Sequence, residues 1–234
     1  MFRKFTRLFM PNRLDWLCRR RPKKVLLGWN RGLGDIPLGL FAIVHRIKTF
    51  NPDAEITFLI RQNLQEGFSL FPEVKILVAP NWKRGEEYDI KETLRSLGKS
   101  SDEFDLIIPY PKPADWVYWQ YGKLTPKLAW NCEYDALWKK FQLPEEKAIA
   151  VHVHAETDYA LWRNWPEGRL REFLELVQGS PVILLGLNNS PHFSGAEIFD
   201  LRGKTSLLET LSIIKNCCRV LIAPDSGILS TIYS

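Results

Sequence analysis

No apolar run in this chain approaches the roughly 20 residues that a membrane-spanning helix needs. Runs such as "VLLGW" and "VILLGL" are strand-sized and end at glycine or a polar residue, so no membrane crossing is expected. The N-terminus "MFRKFTRLFM" is basic but has neither a continuous apolar core nor a small-residue cleavage site, so it does not read as a secretory signal and the chain is expected in the cytoplasm. Cysteine is scarce: Cys18, Cys132, Cys217 and Cys218 lack C-x-x-C spacing, and the adjacent pair suits neither an ordinary disulfide nor a zinc knuckle. Reduced, mostly buried thiols are expected. Tandem repeats and low-complexity tracts are also missing, which excludes solenoid and linker-like chains. What is present is a globular composition: 234 residues, 45% hydrophobic. That suffices for one large core or two small ones of roughly 100 to 150 residues each.

The net charge of +5 is unevenly placed. Residues 1–24 hold nine Lys and Arg against Asp15 alone, a surplus of +8, so the remaining 210 residues sum to −3. Basicity therefore belongs to an N-terminal arm, residues 1–23. Phe2, Phe5, Leu8 and Phe9 fall at helical spacing with cations between, as in a helix lying on an anionic membrane face. The plainer alternative is a solvated, frayed terminus. No nucleic-acid-binding module follows the arm, and no nucleic-acid partner is expected.

From Lys24 onward, β-rich runs at 24–28, 55–60, 74–79 and 104–110 alternate with stretches of helical periodicity such as "PLGLFAIVHRIKTF" (37–50). A second series follows at 148–154, 181–186, 198–201 and 219–223, with helices expected at 166–178 and 205–216. Ser206 and Glu209 form a capping box at the start of the last of these. Alternation of this kind makes βαβ units and parallel sheets. Two α/β domains are expected, 24–143 and 144–234. The first ends in an aromatic-rich linker within 114–141, where four Trp and three Tyr crowd together. Such residues either line a sugar- or amphiphile-binding surface or form the packed face of a linking segment, and packing is the preferred reading.

The stretch "GWNRGLGDIPLGL" (28–40) resembles a dinucleotide turn but fails it, because Pro37 stands where the third glycine of G-x-G-x-x-G belongs. A carboxylate at Asp35 would also repel a pyrophosphate placed there. It is instead well placed to accept a proton from a bound hydroxyl, the alternative being a plain helix N-cap. In the second half, "VLIAPDSG" (220–227) runs a strand into Asp225-Ser226-Gly227, whose backbone N–H groups and hydroxyl suit a diphosphate. Arg163, in the loop before "PEGRLREFLELV", supplies a cation that could meet the same group. His152 and His154 share a strand face, but no third metal ligand accompanies them and strand packing or polar lining is preferred. No metal site is expected.

In order and spacing, "RGLGD", "WRNWPEGRLREFL", "DLRGKTSLLETLSIIKNC" and "LIAPDSG" resemble glycosyltransferase family 9, the heptosyltransferases of lipopolysaccharide assembly. The resemblance covers most of residues 24–230. It implies a GT-B-like fold with two Rossmann-like, doubly wound parallel-sheet domains, and inverting transfer of heptose from an ADP-sugar to a lipid-linked saccharide of the lipopolysaccharide core. That chemistry needs no cofactor beyond the donor itself. It implies Asp35 as the base that deprotonates the acceptor hydroxyl, with Arg31, Gly32 and Gly34 forming the acceptor-side loop. Arg163, Lys204, Asp225, Ser226 and Gly227 are implied on the donor side. The setting implied is cytoplasmic, peripheral to the inner face of the membrane.

Three features depart from the family pattern. Ile228-Leu229-Ser230 follows Asp-Ser-Gly in place of a Pro-Met-His-like segment. The loop Leu187-Asn188-Asn189-Ser190 lacks an acid. About four strands can be counted from residue 148, where a doubly wound half commonly has five or six, so the second domain is expected to be incomplete. A truncated, catalytically inactive relative that keeps a nucleotide- or partner-binding role is the alternative reading. A nicotinamide-dependent oxidoreductase is disfavoured by Pro37 and by the absence of a ribose-binding acid after "FLIRQ".

Overall fold

The structure, a computed structural model, describes residues 13–116, 126–154, 161–187 and 191–232. The apolar positions of the arm (Phe2, Phe5, Leu8, Phe9), the aromatics Tyr118, Trp119 and Tyr121, and the loop residues Asn188 to Ser190 lie outside the described residues. Among the described residues eight strands form where the apolar runs place them. They are β1 (Lys24–Trp29), β2 (Glu55–Arg61), β3 (Lys75–Ala79), β4 (Leu106–Ile108), β5 (Ala148–His154), β6 (Val182–Gly186), β7 (Ile198–Asp200) and β8 (Cys218–Ile222). They pair into two wholly parallel four-stranded sheets, ordered β3-β2-β1-β4 and β7-β6-β5-β8.

Among the described residues eight α-helices accompany them: α1 (Arg13–Cys18), α2 (Phe41–Phe50), α3 (Gln65–Ser69), α4 (Ile90–Ser96), α5 (Pro113–Trp116), α6 (Glu167–Leu176), α7 (Leu207–Cys217) and α8 (Gly227–Ile232). No helix among the described residues is long and apolar enough to cross a membrane.

Both central strands are covered on both faces, which explains their nearly unbroken apolar sequences. Val25, Leu27 and Trp29 of β1 pack under α1 and α2 (Leu14, Cys18, Ile43, Val44, Ile47), whereas Leu26 faces Ile90 and Leu94 of α4. In the second sheet, Ile149, Val151 and Val153 of β5 meet Leu170 of α6, while Ala148 and Ala150 meet Ile213 and Cys217 of α7. The Ser206 hydroxyl accepts from Glu209 N at 3.4 Å and the Glu209 carboxylate from Ser206 N at 2.9 Å, so the expected capping box closes at the start of α7.

The chain divides into two compact units between Ala129 and Trp130, ahead of the expected boundary at 143/144. The cause is apolar. The 3₁₀ segment Cys132–Lys140 leads into Phe141 and Leu143, which with Trp138 cover the α7 side of the second sheet. Lys215 of α7 holds Asp135 at 2.6 Å, and that carboxylate also accepts from the Trp130 indole at 2.8 Å. The described part of the aromatic stretch is thus a packed face. All four cysteines are free; Cys18 and Cys217 are buried, but Cys132 is exposed. Among the described residues the second sheet has as many strands as the first, so strand number alone does not set it apart.

Candidate functional site

In each sheet the strand order reverses beside the unit's first strand, between β1 and β4 and between β5 and β8. Ligand crevices in open α/β sheets lie at the carboxyl ends of the strands at such points. The glycine turn leaves β1 there. Trp29 Nε1 donates to the Gly32 carbonyl at 3.2 Å, and the Arg61 guanidinium donates to the Arg31 carbonyl at 2.9 Å. Buried Asn30 donates to the carbonyls of Lys83 (3.0 Å) and Glu86 (2.8 Å), which ties the loop after β3 to the turn.

Neither Gly32 nor Gly34 has a positive φ, so handedness does not explain the glycines. Space explains the first: a Cβ on Gly32 would stand 2.9 Å from Asp35 Oδ2, and only glycine lets the carboxylate lie against the backbone. Asp35 has helical angles (φ −70°, ψ −18°) and makes no side-chain capping bond to the π-helical turn Ile36–Leu40 that follows. Burial pushes its pKa above the ordinary carboxylate value, while the Gly32 N–H and the charges of Arg84 and Arg31 pull the other way. Arg61 belongs to the same group of cations; it is half-buried, its pKa is lowered by burial and by Arg84, and its Nε has no hydrogen-bond partner among the described residues.

An aromatic stack backs this turn. Trp82 and Tyr88 lie with ring centroids 3.6 Å apart, the Tyr88 hydroxyl donates to the Pro109 carbonyl, and Tyr110 exchanges hydrogen bonds with the Tyr88 backbone at 2.8 and 3.0 Å. A Cβ on Gly28 would meet the Tyr88 hydroxyl at 2.5 Å and the Pro109 carbonyl at 2.6 Å. Gly28 is therefore the opening through which Tyr88 reaches over β1.

In the second unit, Trp165 N donates to the Val153 carbonyl at 3.2 Å, which pins the segment after Arg163 to β5. Arg163 Nη1 lies 3.3 Å from Asp225 Oδ2, and its guanidinium sits 5.1 Å from the Trp162 ring centroid. The structure thus brings together the cation and the Asp-Ser-Gly turn that the sequence separates by some sixty residues. Ser226 is buried and its hydroxyl accepts from Leu229 N at 3.3 Å, so it caps α8, which begins at Gly227. Lys204 is placed differently. Its ammonium donates to the Asp200 carbonyl at 2.8 Å after β7, at the sheet edge opposite β8.

His152 is buried and His154 partly buried at the end of β5. Burial and the neighbouring His154 hold the His152 pKa down to about 4; burial and Arg202 lower that of His154. Among the described residues no group of three or more His, Cys, Asp or Glu gathers for a metal ion.

Two site residues were not anticipated from sequence. Arg61 could have been read from parallel pairing, since Trp29 pairs with Ile60 and the next residue of β2 must border the turn. Arg84 gave no such signal, because it arrives on a loop whose course depends on the Asn30 hydrogen bonds.

No family model and no curated protein matches this sequence. Among solved structures, the chain is similar to the ADP-heptose LPS heptosyltransferase II of E. coli, with a TM-score of 0.64, 16% identity, and coverage of 89% of this chain and 81% of that one. It is also similar to a family 9 glycosyltransferase from Veillonella parvula, with a TM-score of 0.56, 16% identity, and coverage of 90% and 78%. A third likeness is to the dodecameric iron-containing heptosyltransferase TibC of E. coli in complex with ADP-D-β-D-heptose, with a TM-score of 0.50, 12% identity, and coverage of 91% and 56%. At these identities the shared property is the fold: α/β, of the GT-B-like kind, with two Rossmann-like units.

Proposed function

We propose that the chain is an inverting glycosyltransferase that moves heptose, or a related sugar, from an ADP-sugar to a saccharide acceptor of the lipopolysaccharide-core type. The observation that carries this reading is Asp35. Its carboxylate lies against a glycine turn at a strand-order reversal, caps nothing, and has its proton affinity raised by burial. A carboxylate so placed suits a base better than a helix cap. The fold likeness to a heptosyltransferase and to a family 9 glycosyltransferase supports the choice of reaction.

In this reading the acceptor oxygen attacks the anomeric carbon as its proton passes to Asp35, and the bond from that carbon to the diphosphate breaks with inversion. The departing ADP carries the charge to be stabilised. Arg163, held ready by Asp225, meets it together with the backbone at Ser226 and Gly227, which gives the electrostatic stabilisation such a leaving group requires. Lys204 is assigned a donor contact on the β6–β7 side. On the acceptor side, the charges of Arg31 and Arg84 act on Asp35, and Arg61 is close enough to Arg84 to feel its charge.

Residues 1–23 are assigned to the anionic membrane face where a lipid-linked acceptor would reside. Trp16 is 62% exposed on α1, and Arg13, Arg19, Arg20, Arg21 and Lys23 are all exposed. Asp15, the arm's one acid, is spent on Arg46 at 2.7 and 2.8 Å. An exposed indole among exposed cations is the composition of an interfacial anchor.

The test is acceptor-dependent release of ADP from ADP-heptose, using lipopolysaccharide core fractions. Binding of ADP-heptose without release in the presence of any core fraction would refute transfer and favour the binding-only alternative.

A further inference from the structure

Rossmann-type nucleotide sites ordinarily carry a carboxylate at the end of the unit's second strand, where it accepts hydrogen bonds from the ribose. In the second unit that strand is β6, and it runs out through Gly186-Leu187-Asn188 with no acid. The neighbouring strand supplies something else. Between His152 and His154 the β5–β6 register shifts, so that His152 pairs with Leu185 and His154 with Gly186. Gly186 has φ +114°, and a Cβ there would stand 3.0 Å from the His154 carbonyl and 3.2 Å from His152 Cδ2. The glycine makes room for imidazoles where a Rossmann unit would place its acid.

Nδ1 of both histidines is buried and has no hydrogen-bond partner among the described residues. His152 is only 4% exposed, whereas His154, at the strand end, is partly buried. Unmet buried polar atoms are uncommon and call for a partner such as water, an ion or a ligand. An anion is held best by protonated rings, and the surroundings oppose protonation. Burial and each ring's neighbour disfavour the charged forms. The nearby Arg202 is itself committed to Asp200, at 2.6 and 2.8 Å, and to the Pro191 carbonyl, at 2.6 Å. A neutral imidazole fits a hydroxyl in either tautomer, because a hydroxyl both donates and accepts. His154, the last residue of β5, is the more accessible of the two rings.

We propose that His154, backed by His152, is the ribose-hydroxyl subsite of the donor nucleotide, standing in for the strand-end carboxylate. This rests on the donor reading given above. Calorimetric titration of the full chain with ADP and with 2′,3′-dideoxy-ADP tests it. The wild type should bind ADP about tenfold more tightly, the scale of one or two hydrogen bonds to a neutral buried group. His154→Leu should lower ADP affinity to the dideoxy level and leave dideoxy-ADP unchanged. His154→Asn, whose amide can replace Nδ1, should keep most of the preference.

Equal affinity of the wild type for the two nucleotides would overturn the assignment, and that comparison needs no variant to fold. A His154→Leu chain that still discriminates tenfold would overturn it as well. Failure of ADP to bind at millimolar concentration would overturn the donor reading and this subsite together; binding without ribose discrimination overturns the subsite alone.

Discussion

Replacing Asp35 with Asn separates a catalytic carboxylate from a structural one. The change keeps the size of the side chain and an oxygen able to accept from the Gly32 N–H, and it removes only the basic charge. General-base contributions are about 10²- to 10⁴-fold, so acceptor-dependent ADP release should fall by a factor in that range while donor affinity hardly changes. Stability should move the opposite way. Asp35 has its pKa raised in the folded chain by burial, so in the window between the ordinary carboxylate value and the raised one the folded state holds the extra proton. Stability contributed by the protonated form is therefore lost as pH rises through that window, and above it the ionised side chain is a standing cost. Asn escapes the cost. Melting temperature of Asp35→Asn should match or exceed the wild type at pH 7.5, and the difference should vanish near pH 4. No capping bond is lost, because Asp35 makes none. The assay is one variant measured three ways: ADP release, donor titration and thermal melts from pH 4 to 8. Unchanged turnover would show that Asp35 is not the base, and a lower melting temperature at pH 7.5 would show that the charge holds the fold.

Gly28→Ala should destabilise the first unit by about 1–3 kcal/mol, because the new methyl meets a backbone carbonyl at 2.6 Å as well as the Tyr88 hydroxyl, and overpacked sites cost that much; an unchanged denaturation midpoint would contradict the close approach. Arg163→Gln should weaken ADP binding roughly tenfold or more, the worth of a charge-assisted hydrogen bond, with little loss of stability since its partner Asp225 is 77% exposed; retained ADP affinity would remove Arg163 from the donor side. Deleting residues 1–12 together with Trp16→Ala should sharply reduce sedimentation with phosphatidylglycerol vesicles and leave neutral vesicles unaffected; equal sedimentation with anionic vesicles would remove the membrane role.

The fold was largely legible because its signals are local. A run such as "AIAVHVH" can be buried on both faces only in a covered parallel strand, and a Ser-x-x-Glu pair starts a helix whatever surrounds it. The boundary between units was less legible, since Trp138, Phe141 and Leu143 look like linker aromatics until the bare face of the second sheet claims them. Site residues divide in the same way. The contact between Arg163 and Asp225 could be foreseen because each follows a strand, and neighbouring strands bring such loops together. The reason for Gly32 could not, because it depends on where the Asp35 carboxylate comes to rest. The placement of Lys204 on the Asp200 carbonyl also depends on a loop path that strand order does not fix.

The two units share one strand order and differ in what their turns hold, and charge accounts for the difference. After β1 the acid Asp35 stands near Arg31 and Arg84, and burial raises its proton affinity against their pull. After β8 an exposed acid does the reverse, holding the cation Arg163 beside a helix start. A Rossmann turn built for pyrophosphate could not tolerate Asp35 at its centre, since carboxylate and phosphate would repel at contact distance. Nor would the mobile guanidinium of Arg163 wait in place at the second turn without Asp225 to hold it. In the proposed reading the two strand-order reversals divide the work of transfer, the first turn taking up the proton and the second meeting the departing anion. Moving the acid between them tests that division. A chain carrying Asp35→Asn and Ser226→Asp should lose donor binding as well as turnover, because a second carboxylate would then stand at the diphosphate turn; donor affinity equal to that of Asp35→Asn alone would show that the anion is held elsewhere.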